Sequence, residues 1–233
     1  MATSFVNTLD EAMKTLVFNK FSSYLGLQYQ SSDMVFAPES IAQRMMAEKR
    51  GHQQVEFISL WREGLGRLDW QRQRTPVARR GIQLAYDDEN QKTAIITAKA
   101  VPVNIQYYVY FWSRDLDKLG QIAEKYLFWQ HVNPNLLLGY NNTYPMQMGL
   151  HFGDVIDISP LSQAYDKGVY FVYKMPIYLE AWILELTLPR TILSIMLDIW
   201  YAEGALSLAT TENSDLLASY TITNEGVTAN VIN

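Results

Sequence analysis

Apolar positions along the chain alternate between two periods. Leu9, Ala12, Met13, Leu16, Val17 and Phe21 recur at helical spacing and predict a helix from 8 to about 25. Thr8 with Glu11 has the spelling of a capping box, and Gly26 is placed to stop the helix. A second helix is expected from about Pro38, a favoured first-turn residue, to Lys49.

The pattern then shifts to strands. Val55–Trp61 is rich in β-branched and aromatic residues and predicts a first strand. The polar stretch Arg62–Arg80, with Gly64, Gly66 and Pro76, is too long for a tight turn and reads as an extended loop over 62–80. Strands at Ile82–Tyr86 and Thr93–Ala98 flank a turn at Asp87–Asn90. From Val101 to Trp112, Val101, Val103, Ile105, Tyr107, Val109 and Phe111 alternate with Pro102, Asn104, Gln106, Tyr108, Tyr110 and Trp112. This period of two predicts a long strand with one apolar face and a second face, aromatic at its end, that meets a helix or another subunit.

Ser113 stands where an N-cap belongs, with Asp115 and Asp117 in the first turn, and Leu116 to Leu127 mark the apolar face of a helix ending near Trp129. Asn133-Pro134-Asn135 breaks the chain. Further strands are expected at Met146–Phe152, Val169–Met175 and Ile177–Leu188, the last two separated by a kink at Pro176. Ile192–Tyr201 is apolar at both spacings and fits a strand or a short helix. Short turns between strands leave no room for repeated parallel crossovers. The expected class is therefore α+β: a mostly antiparallel or mixed sheet, N-terminal helices, and one central amphipathic helix packed on the sheet. Residues 1–204 read as a single domain, and the Ser/Thr/Asn-rich residues 205–233 as a C-terminal arm, flexible before assembly.

Composition narrows the function classes. Apolar residues make up 48% of the 233, enough for a sizeable core, and 15 Tyr, 9 Phe and 6 Trp suit surfaces that are half core and half protein interface. The absence of cysteine removes disulfides, zinc-thiolate sites and cysteine nucleophiles. The net charge of −5 disfavours duplex DNA binding unless the basic residues are segregated. The N-terminal residues lack the pattern of a signal peptide. The longest apolar region, Ile177–Ile199, is interrupted by Glu180, Glu185, Pro189, Arg190 and Asp198, so no membrane span is expected.

Catalytic, cofactor and metal sites are not expected. His52, His131 and His151 lie in unrelated segments without metal-ligand spacing. No phosphate loop, nucleophile elbow or dinucleotide fingerprint occurs. The rival enzymatic or small-molecule reading rests on His151 with Asp154 and Asp157, which also fit a strand end and an aspartate-held turn. The residues expected to contact neighbours are Arg62, Arg72, Arg74, Arg79 and Arg80 of the loop, and Tyr108, Tyr110 and Trp112 of the long strand. A nucleic-acid reading of the arginines lacks the interleaved aromatic platform of single-strand binders.

The segment Pro102-Val-Asn-Ile-Gln-Tyr-Tyr-Val-Tyr-Phe-Trp-Ser-Arg114, followed by a helix ending in Phe128 and Trp129 and then by Pro134, resembles the tail completion (tail terminator, or sheath-stabiliser) proteins of contractile-tailed bacteriophages. Phe57-Ile-Ser-Leu-Trp-Arg62 is similar to the family's early strand, and Pro145–Phe152 and Val169–Trp182 to its later ones. The resemblance runs from about residue 5 to 190; the short C-terminal tail, not proline-rich, departs from longer relatives. It implies a non-enzymatic virion protein, assembled in the host bacterial cytoplasm. Its homo-hexameric ring would cap the tail tube and last sheath ring and dock on the neck. DNA would pass through the opening without specific binding, as an acidic chain permits. A neck connector or baseplate component is the alternative within the same class.

Overall fold

The computed structural model describes residues 5–27, 30–49, 56–67, 82–87, 93–132, 134–140, 143–159, 170–186, 194–203, 214–223 and 226–231. The elements, in chain order, are α1 (Phe5–Leu25), a 3-10 turn (Ser31–Asp33), β1 (Val35–Phe36), α2 (Glu39–Lys49), β2 (Phe57–Arg67), β3 (Ile82–Asp87), β4 (Thr93–Ser113) and α3 (Leu116–His131). They continue with β5 (Pro134–Tyr140), β6 (Thr143–Phe152), β7 (Ile156–Asp157), β8 (Phe171–Leu186), β9 (Ser194–Glu203), β10 (Ser214–Thr223) and β11 (Gly226–Val231). All described strands join one sheet in the order β1-β2-β4-β8-β6-β5-β9-β10-β11, with β3 also on β4 and β7 on β8. Its pairings are antiparallel except β1 with β2. The α+β class expected from the periodicity is the observed one.

The sheet curls around α1. Asp10 of α1 meets Tyr107 of β4, and Phe21 meets Phe111 of the same strand, so the helix runs along β4 rather than across the sheet. Yet α1 touches β2 on one side and β10 and β11 on the other. In a flat sheet β2 and β10 would lie about 29 Å apart, too far for a helix about 10–12 Å wide to reach both. The enclosure shows in burial: Leu9, Ala12, Met13 and Val17 are 0% exposed, and even Thr8, Asp10, Lys14 and Thr15 are buried. A helix covered nearly all round belongs to the core.

The main core lies between α1, α3 and the inner sheet face, where Ile105, Tyr107, Val109 and Phe111 of β4 meet Met175, Ile177 and Leu179 of β8. A second cluster sits on the opposite face, where Ala42 and Met46 of α2 cover Phe57, Tyr110, Trp112, Tyr170 and Val172.

Several boundaries differ from the sequence expectations. Helix α1 begins by Phe5, and Thr8 lies inside it with its hydroxyl unpaired, so Thr8 and Glu11 form no capping box. Phe5 extends the apolar i, i+4 series one turn earlier, and burial along that series outweighs a local cap. At the other end Gly26 adopts φ 62, with Gly26 N–H donating to Ser23 O and Leu27 N–H to Ser22 O, which is the Schellman arrangement. Strand β2 runs to Arg67, so 62–67 is strand rather than loop; a bulge between Arg62 and Gly64 accommodates the extra residue. The two strands expected around 93–112 are one of 21 residues, about 70 Å long.

Pro176 interrupts nothing: Phe171–Leu186 is a single strand. The Pro176 carbonyl accepts from Gly153 N–H and the Tyr126 hydroxyl, so its missing N–H faces the end of β6, where no ladder continues. The trileucine after Pro134 forms β5, unforeseen because Asn133-Pro134-Asn135 reads as a break. Ser194–Glu203 is a strand. The expected flexible arm contains β10 and β11, which extend the main sheet, with Leu217 1% exposed. Ser214, Ser219, Thr221, Thr223, Thr228 and Asn230 pair through the backbone, which composition does not reveal.

Candidate interaction surface

The junction between β4 and α3 is tied at several points. Ser113, fully buried, accepts from Asp115 N–H at 3.0 Å and donates to Glu56 Oε1 at 2.7 Å. Lys118 reaches the other oxygen of Glu56 at 2.8 Å. The N-cap is Asp115, whose carboxylate accepts from Asp117 N–H at 3.0 Å, and not Ser113. Ser113 is still extended, so its hydroxyl fixes the turn while the next acid caps the helix. The Arg114 guanidinium lies 5.6 Å from the Tyr170 ring.

From this junction α3 buries Leu119, Ile122, Tyr126 and Trp129, spaced along one stripe. Trp129 donates through Nε1 to the Tyr201 hydroxyl at 2.8 Å, which donates to Glu203, itself paired with Lys20 at 2.8 Å. The opposite stripe is open and apolar at its end: Leu127 is 50% exposed, Phe128 70% and Val132 38%. The exposed phenylalanine thus stands with two exposed aliphatics on a helix anchored from beneath by its buried stripe. Sequence placed Phe128 at the helix end, but only the orientation of α3 sends it outward.

Four of the eight residues expected at an interface lie among those described, and all four are engaged within the chain. Arg62 pairs with Asp10 at 3.0 Å. Tyr110 and Trp112, 5% and 2% exposed, are enclosed by α2 and Tyr170 and so offer no surface to a neighbour. The helix alternative for this face is the one realised: Trp112 stacks on Phe57 at 5.0 Å and donates to Ser59 Oγ at 3.1 Å. Tyr108 is half-buried, receives a hydrogen bond from Gln106 at 2.7 Å and lies 3.5 Å beneath the Lys174 ammonium. Its hydrogen bond with Glu63, with burial second, pushes its hydroxyl up to about 12. Arg72, Arg74, Arg79 and Arg80 lie outside the described residues.

Beneath Arg62 lies a carboxyl perturbed by burial. Asp10 accepts from the Tyr107 hydroxyl at 2.8 Å, and its carboxylate contacts Arg62. Burial pushes the Asp10 carboxyl up to about 6, although the Tyr107 hydrogen bond and the Arg62 charge pull it down. Burial likewise raises the Tyr107 hydroxyl. The cluster fastens α1 to β2 and β4, with Asp10 and Tyr107 buried and Arg62 partly exposed at its outer side.

The acid–base candidate is dispersed. His151 is exposed, with Nε2 3.5 Å from Glu180 Oε1, beside a shallow pocket of about 290 Å³ lined by Asn135, Leu150 and Phe152 among others. Asp157 is occupied in holding Ser159, accepting from its N–H at 2.9 Å and from its hydroxyl. Ser159 Oγ in turn accepts from Val172 N–H, so this aspartate organises a turn. Among the described residues no three His, Asp or Glu side chains gather to hold a metal, and no helix is long and apolar enough to cross a membrane. Against known proteins, the chain matches no family model and no curated sequence.

Proposed function

We propose that the chain is a structural subunit of a contractile phage tail, a terminator or sheath-stabiliser that forms a homo-hexameric ring at the head-proximal end and joins tube and sheath to the neck. The observation that carries this reading is the Pro102–Arg114 strand with its Ser-Arg junction into α3, the piece that resembles that family most specifically. Two features fit it. The outward apolar end of α3 suits a subunit contact. The net charge of −5 suits a ring through which DNA passes ungripped.

Native mass spectrometry across a concentration series, backed by negative-stain images, tests it. The expected species is a closed six-membered ring, either alone or on addition of purified tail tubes. A monomer that ignores tubes but binds portal or baseplate components would transfer the chain to the connector or baseplate reading.

A further inference from the structure

Strand β11 ends the sheet: it pairs with β10 along six residue pairs and, among the described residues, with nothing else. The register fixes which of its backbone groups are spent. Thr223 and Gly226 close a hairpin through two residues and therefore form a hydrogen-bonded pair. Alternation then turns the N–H and C=O of Gly226, Thr228 and Asn230 toward β10, and those of Val227, Ala229 and Val231 away from the sheet. Natural edges of this kind are blunted with charges, proline or bulges. Gly226-Val-Thr-Ala-Asn-Val231 contains no charge and no proline, and its pairing with β10 is unbroken.

The same molecule carries a matching edge. Strand β3, also six residues long, pairs only with β4 among the described residues. It pairs with Thr93–Ala98 of β4, while β8 pairs with β4 over Ala98–Ser113 among the described residues. The two edges lie at different places in the strand order and do not pair within one copy.

We propose that the outer edge of β11 is a strand-docking site, and that its occupant is β3 of a second copy of this chain, added to the sheet by backbone hydrogen bonds. The contact is heterologous, so each copy offers β11 to one neighbour and β3 to the next. Copies joined this way close into a ring or continue as a filament. The inference rests on the edge geometry and stands apart from the tail reading.

The chain has no cysteine, so single thiols can be placed uniquely. Ala229→Cys mixed with Leu84→Cys and a short bismaleimide is expected to give a covalent dimer, and the double variant a ladder. Ala229→Cys cross-linking to itself in preference to the mixture would overturn β3 as the occupant. Ala229→Pro removes only an outward N–H. It is expected to raise the concentration of half-association at least about tenfold with an unchanged melting temperature. Unchanged association of this variant, or a wild-type monomer at every concentration, would overturn the docking site. Loss of association by Ala229→Pro with no binding to tail parts by the wild type would keep the docking site and remove only the tail reading.

Discussion

The Tyr107 hydroxyl donates to the Asp10 carboxylate at 2.8 Å, joining residues 97 positions apart and fastening α1 to the middle of β4. Asp10 in the fold holds its proton up to about pH 6, against an ordinary value of 3.8. Between those values the folded state binds more protons than the unfolded state. The contribution of Asp10 to stability is therefore favourable at low pH and is lost as pH rises through about 6. Denaturant midpoints from pH 4 to 7 should show Asp10→Asn losing less stability with rising pH than the wild type. Parallel curves would refute the assignment. Tyr107→Phe leaves the buried carboxylate short of a donor and should cost about 1–3 kcal/mol, measured at pH 7.

Gly153 and Gly120 should respond to alanine with opposite signs. A Cβ on Gly153 would sit 3.0 Å from Pro176 Cγ and 3.1 Å from its Cβ, on a proline held in the sheet from both sides. Gly153→Ala should cost about 1–3 kcal/mol by crowding. Gly120 is inside α3 with nothing within 4 Å of the added carbon. Gly120→Ala should stabilise by about 0.5–1 kcal/mol. Thermal melts of the two variants beside wild type check both signs.

Removing residues 205–233 should abolish cooperative unfolding. The cut strips β10 from the whole length of β9, exposes the flank of α1 and removes Leu217 from the core. Leu217→Ala, a milder version, should cost about 2–5 kcal/mol. Circular dichroism melts read both, and a truncated chain that melts like the intact one would show that β10 and β11 are dispensable.

Phe128 and Trp129 are neighbours with opposite duties. Phe128→Ser should leave stability within about 0.5 kcal/mol of wild type, because 70% of the side chain is already in solvent. Trp129→Ala removes ring contacts with Phe21, Phe152 and Tyr201 and should cost about 3–5 kcal/mol. In the tail reading, Phe128→Ser weakens attachment to tail tubes in a pelleting assay while the fold persists.

Local pattern alone determined much of this protein. The period of two over Val101–Trp112 and the helical stripes of α1 and α3 were legible because side-chain alternation and the 3.6-residue turn act within a few residues. The α+β class followed from their order. Tertiary structure decided what depends on distant partners. Asp10 lies in a helical pattern as an ordinary early-turn acid, and only the curl of the sheet buries it against Tyr107. Tyr110 and Trp112 read as an aromatic face that meets either a helix or another subunit, and only the placement of α2 decides between them. The residues of β10 and β11 mix strand formers such as Tyr220, Ile222 and Val227 with Ser, Asp, Gly and Asn, and their place in the sheet is set by pairing on the edge of β9. Strand pairing is a contact between remote backbones, and no local sequence period encodes which edge will be filled.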